Sequence, residues 1–367
     1  MRTMTVVLLP ALLAVSLVTL ASGQERGARR GVDVVIDDDG TVHVPAMAVP
    51  LSSFLSPEAK AYVMQHLKDM QNPDAVAQVD GIPRFMRGYI ERQRALYAVE
   101  RQDTVIAGVH AYVYKPKGVT TTTRRVLINL HGGGFSGCWP ACAELESIPV
   151  AALAKLQVVS LDYRQGPNYK FPAASEDVAA VYAALLKEHA PENIGIYGCS
   201  AGGMLTAMSV TWFQRHNLPR PGAIGILCAG AGSPTGAGFG GDAEYTTAAI
   251  GEGRGAPPPP RAGARSAAGR GLGYLADTDS KDPLVAPINS PEALGKFPPT
   301  LLVTATRGFE LGGAVYTHNQ LVKQGVDAEL HVWDGLFHGF FYNPDVPESR
   351  DCYDVIVKFF DRHLSRK

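Results

Sequence analysis

The chain has 367 residues, of which 46% are hydrophobic and 19% are charged, with 34 basic and 35 acidic side chains. This length is enough for one large α/β domain with a cap, because such domains often exceed the usual size of about 150 residues. The near-balance of charge implies no strongly basic field of the kind that nucleic-acid binding uses, so we expect no nucleic-acid partner and small molecules as substrates.

Residues 1–23 are predicted to be a secretory signal peptide. Arg2 supplies a positive charge, residues 6–20 form an apolar run, and Ala21-Ser22-Gly23 offers small residues for cleavage. An uncleaved membrane anchor is the alternative, because the run is slightly shorter than the roughly 20 residues of a spanning helix. We therefore expect export to the periplasm or medium, without stable membrane insertion after cleavage.

The next two segments are predicted from their apolar spacing. Residues 24–44 mix arginine, glycine and aspartate with little periodicity, which predicts a disordered lead-in. Ser56-Pro57-Glu58 is a typical helix start, and apolar residues then follow helical spacing, which recurs over residues 82–96. Residues 45–100 are therefore predicted to be helical and to precede the core.

From residue 103 onward the pattern becomes that of a sheet. Alternating apolar residues at 103–114 predict antiparallel strands. Apolar strands then interleave with helices of roughly 10 to 15 residues, which indicates βαβ units and a mostly parallel sheet. We predict strands at 126–130, 158–162, 194–197 and 224–229, and helices near 148–156 and at 175–188. Ligands of such sheets bind at the carboxyl ends of the strands.

A sharp turn with a serine follows the predicted strand at 194–197. Gly198-Cys199-Ser200-Ala201-Gly202 precedes a helical pattern, and Gly-x-Ser-x-Gly between a strand and a helix is typical of a nucleophile elbow. Glycines flank the serine because a Cβ there would clash with the crossing strand and helix. A Gly/Ser turn without a chemical role is the alternative. Ser200 is the predicted nucleophile, and the N–H of Ala201 is a predicted oxyanion donor.

A second glycine-rich turn follows the predicted strand at 126–130. His131-Gly132-Gly133-Gly134 can expose successive backbone N–H groups. By itself the pattern also fits a flexible hairpin or a loop that binds phosphate. Its place before an elbow favours an oxyanion hole, with the N–H groups of Gly133 and Gly134 as donors. His131 is expected to bond the backbone of this loop.

These motifs, in this order, resemble those of the α/β-hydrolases of the hormone-sensitive lipase type, a bacterial family of carboxylesterases marked by HGGG and Gly-x-Ser-x-Gly. The likeness covers roughly residues 126–363. It extends to Asp162-Tyr163-Arg164, Phe171-Pro172-Ala173-Ala174, Asp282-Pro283-Leu284 and Trp333-Asp334-Gly335-Leu336-Phe337-His338-Gly339-Phe340.

The resemblance implies an α/β-hydrolase fold for residues 101–367, with a mostly parallel sheet flanked by helices. It implies a helical cap at residues 45–100, which would form a lid, and esterase activity without a cofactor or a metal. It also implies a catalytic triad in the chain order serine, acid, histidine.

Residues 232–275 are rich in glycine and contain four consecutive prolines at 257–260. This composition disfavours a packed helix, although residues 242–250 could form a short one. The resembling family inserts part of its lid after the preceding strand, so we expect a cap insert here. A plain surface linker is the alternative.

At the triad acid the chain departs from the family pattern. The family has Thr-Arg-Asp after the strand predicted at 299–304, and here Gly308 takes the place of the aspartate. A carboxylate is needed to orient the histidine and to stabilise its positive charge. Glu310 is the predicted acid, because it lies in the same loop and has one more methylene. Asp334 is the second candidate, and a chain without a working acid is the third.

His338 is the predicted base of the triad. It follows the last predicted core strand, at 328–332, where the chain order serine, acid, histidine puts the third member. The alternative for any single histidine is a packed or solvent-exposed side chain with no catalytic role.

The five cysteines show no spacing typical of a zinc site. Cys138 and Cys142 are close in sequence, and export would permit a disulfide between them. Cys199, beside the nucleophile, is expected to be a packed thiol rather than a reactive one.

The sequence therefore predicts a serine carboxylesterase that hydrolyses short- to medium-chain acyl esters through an acyl-enzyme intermediate. The expected partner is a small-molecule ester, and a homodimer is compatible with the sequence. Two alternatives stay open. One is a non-catalytic α/β-hydrolase homologue that binds a small apolar ligand, having lost its acid at Gly308, and the other is a carbohydrate-ester deacetylase.

Overall fold

A computed structural model describes residues 35–44, 46–79, 82–118, 124–232, 241–252 and 273–365. The predicted signal peptide and the first part of the predicted lead-in lie outside these ranges, as does most of the predicted cap insert. The chain divides into two compact units, residues 1–50 and 51–367.

In the first unit a short hairpin is formed by β1 (Val35–Ile36) and β2 (Val42–His43). Its turn is closed by Asp37, whose N–H donates to Thr41 O at 2.9 Å. Gly40 takes the left-handed φ of +85° that this turn needs. This hairpin lies within the predicted lead-in, where a glycine turn joins Val35-Ile36 to Val42-His43.

The second unit contains ten further strands among the described residues. They are β3 (Gln78–Val79), β4 (Ile82–Pro83), β5 (Val99–Ile106), β6 (Val109–Pro116), β7 (Val126–Leu130), β8 (Gln157–Leu161), β9 (Ile194–Cys199), β10 (Ala223–Leu227), β11 (Thr300–Ala305) and β12 (Ala328–Trp333). The last eight form one sheet in the order β12-β11-β10-β9-β7-β8-β6-β5. Only β6 pairs antiparallel to its neighbours, and the remaining pairs of this sheet are parallel.

Helices cover both faces of this sheet and connect its strands. They are α1 (Pro57–Met70), α2 (Pro73–Val76), α3 (Arg84–Leu96), α4 (Ala141–Ala154), α5 (Ala173–Leu185), α6 (Ala201–Arg215), α7 (Ala243–Ala249), α8 (Pro291–Leu294), α9 (Leu311–Lys323) and α10 (Pro347–His363). Within the described ranges, none of these helices has the length and apolarity that crossing a membrane requires.

The central strands are mostly apolar because they are covered on both sides. Every residue of β7, β9, β10 and β11 is buried, whereas the edge strands β5 and β12 are partly exposed. Parallel strands with helices on both faces have no solvent side, so their sequences lose the alternation of a half-exposed strand. This arrangement confirms the predicted mostly parallel sheet.

Helix α4 begins at Ala141, well before the start predicted near residue 148. The prediction was wrong because Pro149 reads as a helix start, although it lies inside the helix. A proline cannot donate to the carbonyl four residues earlier. That carbonyl, of Leu145, instead accepts from the side chains of Gln93 at 3.3 Å and Tyr353 at 3.0 Å. The carbonyl that Pro149 cannot bond is therefore satisfied by side chains of neighbouring helices.

The N-terminal helix α1 lies against the loop that carries His338. Ser56 caps the helix by accepting from Ala59 N at 3.0 Å. Two aromatic rings of α1, those of Tyr62 and His66, pack on Phe337, with ring centroids 4.9 and 3.5 Å away. The helices predicted as a cap thus contact the residue beside the predicted base, and their role as a lid stays a prediction.

Candidate active site

Ser200 occupies the turn between β9 and α6 in a strained backbone conformation. Its φ and ψ are +59° and −122°, and its N–H donates to Leu227 O at 2.8 Å. Such a conformation costs a non-glycine residue on the order of 1–3 kcal/mol. A Cβ at Gly198 or at Gly202 would lie 2.2 or 1.7 Å from Leu130 O. The end of β7 therefore crosses the turn so closely that only glycine fits on either side of the serine.

The HGGG loop lies directly beside this turn. A Cβ built on Gly132 would lie 3.5 Å from Ser200 Cβ. Gly133 and Gly134 have φ of +119° and +64°, values that favour glycine. A Cβ on Gly133 would also come within 2.2 Å of Gly137 O. The three glycines thus form a tight backbone loop next to Ser200, where N–H groups can bind a negative oxygen.

His131 holds the start of this loop. Its Nδ1 donates to Gly132 O at 2.6 Å, and its own carbonyl accepts from Tyr163 Oη at 2.6 Å. Burial lowers the pKa of the His131 imidazole to about 4, although the bond to Gly132 opposes the shift. The ring is therefore neutral near pH 7. The loop geometry matches the predicted backbone bond of His131.

His338, which is partly buried, pairs with the fully buried Glu310. His338 Nδ1 lies 2.9 Å from Glu310 Oε2, and Glu310 Oε1 accepts from Thr304 Oγ1 at 3.0 Å. Burial favours the neutral acid, but the positive charge and hydrogen bond of His338 lower the pKa of Glu310 overall. Glu310 also precedes the first residue of α9, where the helix dipole stabilises an anion.

Gly308 makes room for this carboxylate. A Cβ at residue 308 would lie 2.4 Å from Glu310 Oε1 and 2.8 Å from Glu310 Cδ. The glutamate carboxylate therefore fills the space that a side chain at residue 308 would enter. The glutamate at 310 can reach His338 only because residue 308 has no side chain.

Asp334, the second candidate for the acid, bonds elsewhere. Its carboxylate accepts from Ser52 Oγ and from Thr306 Oγ1, the latter at 3.3 Å. Thr306 Oγ1 in turn accepts from Gly335 N at 2.7 Å. Asp334 thus shapes the turn that leads toward His338. The structure brings Glu310 to the histidine and leaves Asp334 in the turn.

The end of β10 ties the serine turn to the histidine loop. Leu227 O accepts from Ser200 N, and the next residue, Cys228, accepts from Gly339 N at 3.3 Å through its sulfur. Gly339, the residue after His338, is therefore bonded to Cys228, and the adjacent residue Leu227 is bonded to Ser200. The serine and the histidine approach the same strand end.

Two buried residues that no sequence motif indicates, Cys228 and Glu146, contact this site. Cys228 Sγ lies within 4.8 Å of a ring nitrogen of His338 and a carboxylate oxygen of Glu310, a ligand set of the type that metals use. Nδ1 of that histidine is bonded to Glu310, which fits a triad better than a metal centre. Glu146 binds Gly132 N at 2.9 Å. A charged residue inside an apolar helix was the available signal for Glu146.

The cysteines divide into one disulfide and three buried thiols. Cys138 and Cys142 are joined by a disulfide. Cys199, Cys228 and Cys352 are free and buried. Burial raises the pKa of the Cys199 thiol well above its usual range, so this thiol is protonated and unreactive near neutral pH.

Comparison with known proteins gives one family match and several similar curated proteins. Residues 127–342 match the family described as "alpha/beta hydrolase fold". An acetyl-hydrolase of Streptomyces hygroscopicus is 29% identical over 244 residues, 64% of this chain and 75% of that protein. An acetyl esterase of Salmonella schwarzengrund is 28% identical over 197 residues, 47% of this chain and 59% of that protein.

Solved structures extend the likeness to most of the chain. A structure titled esterase E25 is 28% identical with a TM-score of 0.71, covering 88% of this chain and 99% of the other. An esterase of the bacterial hormone-sensitive lipase family is 23% identical with a TM-score of 0.68, covering 87% and 100%. These matches confirm the predicted fold class and the resemblance inferred from the motifs.

Proposed function

The chain belongs to the α/β-hydrolase fold family, and from this premise we propose that it is a serine carboxylesterase acting on short- to medium-chain acyl esters. The observation that carries the proposal is the bond between Glu310 and His338, with the His338 loop fixed to the same strand end as the Ser200 turn. Similar proteins named acetyl-hydrolase and acetyl esterase support a preference for short acyl chains within this range.

The mechanism that we propose is acyl transfer through a covalent intermediate. Glu310 holds the His338 proton on Nδ1, which leaves Nε2 as the acceptor. Nε2 takes the proton of Ser200 Oγ as that oxygen bonds to the ester carbonyl carbon. The alcohol leaves with the proton from His338. A water molecule then attacks the acyl-enzyme by the same route and releases the acid and free Ser200.

The negative oxygen that develops in each step needs donors. We propose that the N–H groups of Gly133, Gly134 and Ala201 bind it, supported by the conformation of the glycine loop and the place of Ala201 as first residue of α6. Backbone donors at a helix N-terminus are fixed before the reaction, and loss of one oxyanion donor costs about 3 kcal/mol.

Labelling with a fluorophosphonate probe tests this function directly. The purified full chain is expected to hydrolyse p-nitrophenyl acetate and to bind one probe at Ser200, with activity lost in proportion to labelling. Only an activated serine hydroxyl reacts in this way. Heat-denatured protein is the control. Absence of both labelling and hydrolysis would favour a non-catalytic binding protein, whereas turnover confined to sugar acetates would point to a carbohydrate-ester deacetylase.

We also propose that the protein is exported. Residues 1–23 have the charge, apolar run and small residues of a signal peptide. The disulfide between Cys138 and Cys142 supports an oxidising compartment. Fractionation of cells that produce the full chain, with N-terminal sequencing of the product, tests both cleavage and location.

Activity and stability are expected to respond to alkaline pH in opposite directions. Burial lowers the pKa of His338, but the charge and hydrogen bond of Glu310 outweigh it and raise this pKa from 6.5 to about 9. The base must be neutral to accept a proton, so kcat/KM should rise as pH increases through this range. The stability from the charged pair is complete below pH 6.5 and is lost as pH rises through about 9.

A pH–rate profile and thermal melts over the same buffers, between about pH 6 and 10, test this expectation. A variant that lacks the carboxylate of Glu310 is the control, since its imidazole should titrate lower. An activity limb at or below the ordinary imidazole pKa of 6.5 would contradict the prediction.

A further inference from the structure

Glu146 is a carboxylate buried in the core directly behind the HGGG loop. It lies in α4, and only 1% of its surface is exposed. Burial raises its pKa to about 7, and hydrogen bonds from neighbouring groups oppose this rise. An unpaired buried carboxylate is costly, so a chain that retains one must satisfy it with donors.

Four donors from four segments converge on this carboxylate. Oε1 accepts from Gly132 N and from Tyr342 Oη, both at 2.9 Å. Oε2 accepts from Asn129 Nδ2 at 2.9 Å and from Cys199 N at 3.3 Å. The donors belong to the HGGG loop, the residue before the nucleophile, the end of β7 and the turn after His338. One side chain thus joins the segments that carry the catalytic groups.

We propose that Glu146 is a positioning residue that fixes the oxyanion loop relative to the nucleophile. The inference rests on the proposed esterase function, because it concerns the geometry of that same site. Glu146 touches neither Ser200 nor the substrate in this role. It acts through the backbone at Gly132 and Cys199, each adjacent to a group that takes part in the reaction.

The position of Glu146 is itself fixed from several sides. Its main-chain carbonyl accepts from Tyr197 Oη at 3.0 Å. Asn129, which donates to its carboxylate, accepts from Ser160 Oγ at 2.6 Å, and this bond sets the orientation of the amide. Because Pro149 interrupts the bonding of α4, neighbouring side chains hold the helix at this point. A rigid support of this kind is what precise placement of oxyanion donors requires.

The bonding pattern requires a carboxyl group rather than an amide. Each oxygen faces one backbone N–H, of Gly132 or of Cys199, and a backbone N–H cannot turn to become an acceptor. A glutamine at 146 would therefore direct its NH₂ group at one of these donors in either orientation. The hydroxyl of Tyr342 can reverse, but the two amides of the backbone cannot.

Glu146→Gln is the decisive variant, and Glu144→Gln is its matched control. Glu144 lies on the same helix, is 2% exposed, and pairs with Arg94 and Arg101 on α3 and β5. At about pH 8, Glu146→Gln is expected to lower kcat for p-nitrophenyl acetate by about 10- to 100-fold, with KM changed less than about threefold. Misplaced oxyanion donors weaken transition-state binding and leave ground-state binding of the ester nearly unchanged. Glu144→Gln should lower the melting temperature and leave kcat within about twofold.

Equal kcat for folded Glu146→Gln and the wild type would overturn the proposal, as would a rise in KM alone. Tyr342→Phe covers the case in which Glu146→Gln does not fold, since it removes only one of the four donors. It should lower kcat about threefold or more at constant KM, and a wild-type kcat would refute the inference. An inactive wild type would refute the esterase function itself, which separates the two failures.

Discussion

Ser200→Ala is expected to abolish ester hydrolysis, with a fall in kcat on the order of 10⁶-fold. The hydroxyl forms the acyl bond, and no other group in the turn can replace it. Alanine keeps the Cβ and therefore the strained φ of +59° that Ser200 already tolerates, so the fold should persist. The activity that remains above the rate in water would come from the oxyanion donors and from substrate binding alone.

The measurement for this variant is turnover of p-nitrophenyl acetate together with fluorophosphonate labelling. Ser209→Ala is a matched control, because it removes a buried hydroxyl from the same helix, α6, whose bond to Leu205 O is purely structural. That control should keep its kcat. Hydrolysis by Ser200→Ala at the wild-type rate would show that the nucleophile is another residue.

Glu310→Gln is expected to lower kcat by about 10³- to 10⁴-fold with little change in KM. Thr304 Oγ1 donates to Oε1, so the amide oxygen of glutamine is favoured there and its NH₂ group faces His338 Nδ1. The histidine proton then moves to Nε2, the atom that must accept the proton of Ser200. The variant also loses the negative charge that stabilises the imidazolium.

Asp334→Asn is the comparison that decides which carboxylate serves the triad. Its carboxylate bonds Ser52 and Thr306, so this variant should lose some stability of the turn and keep kcat within about threefold. Kinetics of both variants under identical conditions give the answer. A crippled Asp334→Asn beside a fully active Glu310→Gln would reverse the assignment.

The double variant Gly308→Asp with Glu310→Ala offers a stricter form of the same prediction. A side chain at 308 would point at the Glu310 carboxylate, whose Oε1 is 2.4 Å from the built Cβ. Once that carboxylate is removed, an aspartate at 308 has room to reach His338. The double variant should therefore recover part of the activity that Glu310→Ala alone loses. No recovery would mean that the backbone at 308 cannot direct an acid to the histidine.

Much of the fold could be predicted because its signals are local. The strands β7, β9 and β11 are mostly apolar runs, as expected of strands that are buried on both faces. The elbow at Ser200 was recognisable because steric crowding by β7 leaves glycine as the only fit at Gly198 and Gly202. The start of α4 was missed because a proline is typical of the first turn of a helix, whereas Pro149 lies inside this one.

The site shows the same division between local and long-range causes. The sequence placed Glu310 in the loop after β11. It left open whether Asp334 is the acid or whether the chain lacks one, because the distance from a carboxylate to His338 depends on how the two loops meet. Glu146 gave only the weak signal of a charge in an apolar helix. Its four partners lie between 14 and 196 positions away in the chain, so no local pattern contains them.

The sequence by itself determined the order of strands and helices, the turns that only glycine can form, and the serine, glycines and histidine of the candidate site. These features follow from steric limits within a few residues, which a linear pattern records directly. Only the tertiary structure decided that Glu310 reaches His338 through the space left by Gly308, and that Glu146 joins the loops behind the nucleophile. Those choices depend on distances between side chains far apart in the chain, and packing of the sheet and helices sets these distances.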